Sequence, residues 1–170
     1  LLSQIKAVNS QNRLVATTTS PERVPELQDL GLDVEVLDLS EEGRVHEVLS
    51  DCRTVFLTVA PSGKGNGGET SYREAYVEGM RHLLNAVKGT AVKSIIYTSS
   101  SSVYGQDDGS WVDESSPTQP SHERGEILLQ AEDRLLKEAP VLGITATVLR
   151  LCGIYGPDRG PQRFLHPFSG

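Results

Sequence analysis

The sequence is poor in cysteine, in aromatic residues and in basic side chains. Its cysteines, Cys52 and Cys152, are too few and too far apart for a disulfide framework or a cysteine-based zinc site. Its four histidines show no HExxH or similar ligand spacing, so we expect no metal. The 16 Lys and Arg residues are scattered and outnumbered by 23 Asp and Glu residues, which argues against nucleic acid as a partner.

Long hydrophobic runs are also lacking. No run approaches the roughly 20 apolar residues that a membrane helix needs, and the first residues do not show the pattern of a signal peptide. We therefore expect no membrane partner and a soluble, intracellular protein whose compartment stays open. At 170 residues the chain is long enough for one domain with a buried core and short for two.

What the sequence does contain is a regular alternation of two patterns. Short runs rich in β-branched residues predict strands at 13–18, 33–37, 54–59, 94–99 and 145–150. Longer runs predict a helix from Pro21, with Ser20 as its N-cap, to about Gly31, and further helices over 41–49, 70–87 and 121–137. Strict alternation of strand and helix is typical of an α/β fold with a doubly wound, Rossmann-like parallel sheet.

A glycine-rich stretch over 63–68 reads GKGNGG and matches the GxGxxG pattern of a dinucleotide-binding turn. Such a turn follows its strand directly, and an acidic residue comes about 20 residues later to bind the ribose. Here three residues separate the stretch from the predicted strand, and the next strand ends in Thr98 and Ser99. We interpret the stretch as a surface loop beside a ligand site and not as the pyrophosphate cradle.

Three motifs lie at or after the ends of the last two predicted strands. Residues 97–105 read YTSSSSVYG, residues 113–120 read DESSPTQP, and residues 149–157 read LRLCGIYGP. The helix before them carries YREAYVEGMRHLLNAV over 72–87. In order and spacing, this set resembles the extended short-chain dehydrogenase/reductase family, the NAD(P)-dependent sugar epimerases and dehydratases. The helix over 121–137 resembles the divergent, atypical branch of that family.

The resemblance implies a place for a catalytic hydroxyl. Ser100 takes the position of the family's catalytic Ser or Thr, which hydrogen-bonds the substrate oxygen and holds it against the nicotinamide. A hydroxyl suits this task because it can donate or accept as the carbon changes oxidation state. The alternative is a serine run that only satisfies backbone groups at a strand end.

The family's acid/base pair, Tyr-x-x-x-Lys, is absent. With Glu132 placed on the family's helix glutamate, Arg124 stands in place of the tyrosine and Leu128 in place of the lysine. Arginine stays protonated and cannot transfer a proton. Two alternatives stay open: Tyr104 or Tyr155 serves as the acid, or the protein binds a dinucleotide without the redox step.

The resemblance also implies a dinucleotide site along the strand ends. Its residues are Thr18, Ser20 and Arg23 after the first strand, Asp38 and Leu39 after the second, Val59, Ala60 and Pro61 at the third, and Gly153 and Ile154 after the fifth. No acid stands at the end of the first strand to accept from a ribose 2′-hydroxyl. Hydroxyls and an arginine are there instead, and they suit the 2′-phosphate of NADP, with NAD as the alternative. For Arg23, an ordinary exposed helix arginine is an equal alternative.

The start of the expected fold is not found in the chain. The strand order of this fold is 3-2-1-4-5-6, and the true glycine turn follows its central first strand. Residues 1–8 resemble the end of the helix that follows that turn. We therefore expect one NAD(P)-binding domain over 1–170 that is truncated at its N-terminus, has a gap in its sheet, and leads over 153–170 toward a substrate-binding part.

Taken together, the resemblance implies an NADP-dependent oxidoreductase or epimerase/dehydratase. It would act on a hydroxyl or carbonyl of a nucleotide sugar or related small molecule. The oligomeric state stays open, and a homodimer is one alternative. The alternative is a non-catalytic NAD(P)-binding sensor or interaction module that has lost the Tyr/Lys pair. A hydrolase is not favoured, because the chain has no GxSxG elbow.

Overall fold

The strands of the protein are parallel and follow the predicted order. A computed structural model describes residues 13–61, 69–156 and 160, so the predictions for 1–8 and 63–68 lie outside the described residues. The strands are β1 Val15–Thr18, β2 Asp33–Val36, β3 Thr54–Leu57, β4 Ser94–Ser100 and β5 Thr145–Leu151. All five agree with the predicted strands to within two residues at each end.

Helices connect the strands as the periodicity predicts. They are α1 Val24–Asp29, which continues a 3₁₀ turn over Pro21–Arg23, α2 Glu42–Leu49, α3 Glu69–Arg73, α4 Gly79–Ala86 and α5 Glu123–Glu138. A π-helical turn over Glu74–Glu78 joins α3 to α4, so the predicted helix over 70–87 is one helical run with a widened turn. Ser20 is the N-cap residue of the first turn, but its side chain makes no capping bond.

The described strands form two sheets. One pairs β1 with β2, and the other has the order β3-β4-β5. The predicted order places a strand between β1 and β3, and among the described residues no hydrogen bonds join these two strands. The α/β class with parallel sheets and flanking helices is confirmed.

The main core lies between the three-stranded sheet and the helices α4 and α5. Met80, Leu83 and Leu135 from the helices pack with Ile95 and Tyr97 of β4, and each of these five side chains is almost completely buried. Residues alternate between buried and half-buried along β4, because successive side chains of a strand point to opposite faces. Ser99 therefore faces the helices, and Ser100 faces away from them.

Candidate active site

The candidate residues lie at the C-terminal ends of the strands. In the three-stranded sheet, Ser100 at the end of β4 is in register with Leu151 at the end of β5. Parallel strands end at a common edge, and ligands of open α/β sheets bind beyond this edge. The segment Val59 to Pro61 follows β3, and Gly153 and Ile154 follow β5, so both follow strands that flank β4 in the sheet.

The hydroxyl of Ser100 already accepts one hydrogen bond. Its Oγ accepts a hydrogen bond of 3.2 Å from the backbone N–H of Ser102 and so caps the short 3₁₀ turn Ser101–Val103. The side chain is half-buried. Because Oγ acts as the acceptor in this bond, its own proton stays available for donation to a ligand oxygen.

Tyr104, the other candidate of this turn, is held from two sides. Its hydroxyl donates to the carbonyl oxygen of Asp113 at 2.8 Å and accepts from Nη1 of Arg150 at 2.9 Å. The guanidinium carbon also lies 5.0 Å from the centre of the tyrosine ring. Proton transfer by Tyr104 therefore requires the bond to Asp113 to break. Tyr155, the alternative acid, is 72% exposed.

Behind these residues lies a buried ion pair that the sequence analysis missed. Glu132 of α5 is 1% exposed, and its carboxylate accepts from Nη2 of Arg150 at 2.8 Å and from Nε at 3.1 Å. Ser99 donates to the same carboxylate at 2.5 Å. The hydrogen bond to Glu132 raises the pKa of Arg150 above its usual high value. One signal was present in the sequence: Glu132 is a charged residue on the apolar face that Leu128 and Leu135 define.

The positions of the missing acid/base pair carry other side chains. Leu128 is buried, at 6% exposure, and belongs to the core face of α5. Arg124 is exposed, and its guanidinium carbon lies 4.8 Å from the ring centre of Tyr72. Neither side chain can move a proton near neutral pH. The structure therefore contains no substitute for the pair at these two positions.

The predicted cofactor residues after β1 form a local turn. Thr18 Oγ1 accepts from the backbone N–H of Ser20 at 3.1 Å. Arg23 lies on the exposed side of the turn, with its Nε 3.6 Å from a carboxylate oxygen of Glu26. An exposed pair of this kind is weak, so Arg23 is able to turn toward a phosphate.

Asp38 follows β2 and is oriented by its neighbours. Its Oδ1 accepts from the backbone N–H of Ser40 at 2.9 Å and from the Ser40 hydroxyl at 2.7 Å, which lowers the pKa of Asp38. Among the described residues, none donates to the second carboxylate oxygen. Leu39 turns the other way and packs on the main core, close to Gly79.

The remaining predicted positions are open. Val59 and Pro61 are half-buried, while Ala60, Gly153 and Ile154 are exposed. Among the residues that the structure describes, no group of three potential ligands could hold a metal ion. The same residues include no helix that is long and apolar enough to cross a membrane.

This architecture defines the class of the protein: a Rossmann-type α/β domain with its polar candidate residues at the C-terminal edges of the strands. Residues 4–168 match the model of the NAD dependent epimerase/dehydratase family, and the chain belongs to that family. The resemblance described from the motifs is thereby confirmed.

Similar proteins include one curated relative and two proteins whose structures were solved with nucleotide sugars. Protein YeeZ of Escherichia coli strain K12 is 33% identical over 118 residues, which are 69% of this chain and 40% of YeeZ. The structure of MoeE5 with UDP-glucose and NAD is 26% identical, with a TM-score of 0.76, and the match covers 95% of this chain and 53% of MoeE5.

The fold is also that of UDP-glucuronic acid 4-epimerase from Bacillus cereus, solved with UDP-glucuronic acid and NAD. The TM-score is 0.76 at 23% identity, and the match covers 94% of this chain and 55% of that enzyme. The chain thus spans about half the length of the two solved relatives. It spans less than half the length of the curated relative.

Proposed function

We propose that the protein is a nicotinamide-dependent enzyme of the epimerase/dehydratase type that acts on a hydroxyl or carbonyl of a nucleotide sugar or related small molecule. The observation that carries this proposal is the hydroxyl of Ser100, which keeps its proton for donation at the ligand edge of the sheet. Family membership and the nucleotide sugars bound to the two solved relatives support the substrate class.

The residues at the strand ends suit a dinucleotide. Asp38 offers a carboxylate oxygen to an amino or hydroxyl group, and the exposed Gly153 permits close approach of a flat ring. When bound, the nicotinamide would supply the hydride acceptor or donor. NAD is better supported than NADP, because both solved relatives hold NAD. The turn of Thr18, Ser20 and Arg23 is the feature that favours NADP, so the preference has to be measured.

In the proposed reaction Ser100 donates a hydrogen bond to the substrate oxygen and fixes the distance of the reacting carbon from the nicotinamide. This contact stabilises negative charge that develops on the oxygen in the transition state. The proton itself requires a second group. Tyr104 is a candidate if its bond to Asp113 opens when substrate binds, and Tyr155 is the exposed alternative.

A non-catalytic NAD(P)-binding module is the second candidate function. The observation that favours it is the pair Arg124 and Leu128, which replaces the acid/base pair. Such a module would bind the dinucleotide through the same strand ends and would not turn over a sugar.

The homodimer stays a prediction that sedimentation velocity tests.

The deciding experiment is a titration with NADH and with NADPH, followed by cofactor fluorescence, and then an assay of turnover that detects epimerised or dehydrated product as well as net oxidation or reduction of the cofactor. The assay panel contains UDP-glucose, UDP-glucuronic acid and simple aldehydes and ketones. Binding together with turnover of a nucleotide sugar supports the enzyme. Binding without turnover across the panel supports the module, and absence of binding by a chain with folded circular dichroism contradicts both. Arg23→Gln should weaken NADPH and leave NADH unchanged if the turn after β1 selects NADP.

A further inference from the structure

The buried carboxylate of Glu132 connects segments that are far apart in sequence. Ser99 reaches it from β4, and Arg150 reaches it from β5. Ser99 and Arg150 are direct register partners across these parallel strands. Ser99 directly precedes the candidate residue Ser100, and Arg150 lies three positions before the candidate residue Gly153.

Arg150 carries this connection outward. Two of its nitrogens bind Glu132, and the third, Nη1, donates to the Tyr104 hydroxyl at 2.9 Å. Tyr104 in turn donates to the backbone carbonyl of Asp113 at 2.8 Å. The chain of contacts thus runs from the interior of α5 to the long segment that follows the Ser100 turn.

Only an arginine can make these contacts at once. The guanidinium presents five donors in a planar fork, whereas lysine presents a single ammonium at the end of a flexible stem. A lysine at position 150 could neutralise Glu132, which is the requirement of a buried carboxylate. It could not bond to the Tyr104 hydroxyl and at the same time replace the two hydrogen bonds that Nε and Nη2 of Arg150 donate to the Glu132 carboxylate.

We propose that Arg150 is a positioning residue that holds the Tyr104 ring and, through it, the Asp113 segment against the Ser100 turn. In this proposal Tyr104 is the intermediate link. The ion pair with Glu132 holds the Arg150 guanidinium in place through Nε and Nη2, so that Nη1 points at the Tyr104 hydroxyl. The consequence for turnover rests on the proposed function, whereas the consequence for the segment does not.

The chain contains its own reporter for this segment. Trp111 is the single tryptophan of the sequence, is 99% exposed, and lies two positions before Asp113. Its fluorescence anisotropy reports local motion of the segment on the nanosecond scale. Chymotrypsin cleaves after aromatic residues, so its rate of cleavage after Trp111 reports slower local opening.

The test compares Tyr104→Phe and Arg150→Lys with the native chain. Tyr104→Phe keeps the ring and removes both hydrogen bonds, and Arg150→Lys keeps the charge beside Glu132. We expect each variant to lower Trp111 anisotropy and to raise cleavage after Trp111 about fivefold, since loss of one net hydrogen bond shifts an opening equilibrium by about that factor. The double variant should match Tyr104→Phe, because Arg150 acts on the segment only through the Tyr104 hydroxyl that this variant lacks.

The control is Arg134→Lys, which changes a half-buried arginine of α5 whose Nε lies 3.8 Å from Glu138. It should leave anisotropy and cleavage unchanged. The proposal is overturned if either Tyr104→Phe or Arg150→Lys has native anisotropy and cleavage, and it is also overturned if the effects of the two variants add in full. If Arg150→Lys does not fold, Arg150→Gln combined with Glu132→Gln takes its place, because that pair of changes removes both buried charges together. These readouts need no substrate, so they stand apart from a failure of the proposed function.

Where turnover of a nucleotide sugar is found, a second readout applies. Loss of position at the Ser100 turn should lower kcat in Arg150→Lys with little change in NADH affinity. Tyr104→Phe is left out of this readout, because Tyr104 is itself a candidate for the acid. A kcat that stays native in a variant with reduced anisotropy would separate the segment from the chemistry and overturn the catalytic part of the proposal.

Discussion

Gly125 at the start of α5 lies in direct contact with the backbone carbonyl of Ser102. A Cβ on Gly125 would come within 2.5 Å of the Ser102 oxygen and 2.6 Å of the Cβ of Pro120. The helix therefore approaches the turn that Ser100 caps more closely than any side chain allows. This contact makes the position of α5 part of the candidate site.

Gly125→Ala should be destabilising by about 1 to 3 kcal/mol, since the extra methyl group must displace backbone. The matched control is Gly43→Ala in α2, where an added Cβ meets nothing within 4 Å. Gly43→Ala should be neutral or stabilising by up to about 1 kcal/mol, because alanine favours the helix. Urea unfolding measures both free energies. Equal effects of the two variants would contradict the close approach at Gly125.

Ser100→Ala should lower turnover by at least about tenfold, because it removes the proposed donor to the substrate oxygen. NADH affinity should change little, since no cofactor contact is assigned to this hydroxyl. Ser102→Ala serves as control, because only the backbone N–H of Ser102 bonds to Ser100. An unchanged rate constant in Ser100→Ala removes Ser100 from the mechanism.

Tyr97→Phe should leave the free energy of unfolding within about 1 kcal/mol of the native value or increase it. The Tyr97 hydroxyl is fully buried and has no hydrogen-bond partner among the described residues. A hydroxyl without a partner costs its desolvation, so its removal loses little. Burial also raises the pKa of this phenol far above its usual value. Thermal unfolding checks the prediction, and a loss well above this limit would indicate a hidden partner.

The Glu42 carboxylate predicts a loss of stability in acid. His82 lies 2.6 Å from it and Asn85 donates to it at 3.2 Å. The hydrogen bond with His82, followed by that with Asn85, lowers the pKa of Glu42 from its ordinary value of 4.5. A lowered folded pKa means that the contribution is complete above the ordinary value and is lost as the pH falls through the folded one.

Urea midpoints measured from about pH 6 to about pH 3 test the direction of this effect, because this range spans the ordinary pKa values of carboxylates. The native chain should lose its advantage over Glu42→Gln as the pH falls. Parallel curves for the two proteins over the whole range would show that Glu42 does not contribute in this way.

Much of the fold was predictable because its determinants are local. The β-branched runs and helical periods predicted every described strand and the helices α2 and α5, since burial of one face imposes its period on the sequence. The π turn over Glu74–Glu78 was not predicted, because one extra residue in a turn leaves no pattern in a helical run. Ser100 was predicted from a motif, and the sheet places it at the expected edge.

By itself the sequence determined the α/β class, the family and the candidate residues at the strand ends. Only the tertiary structure decided which polar groups there are engaged and which keep a donor for a ligand. Tyr104 and Arg150 are 46 positions apart, and Ser99 and Glu132 are 33 apart. Such partners meet only when strands and helix are packed, because hydrogen bonds act over a few ångströms in space and not along the chain.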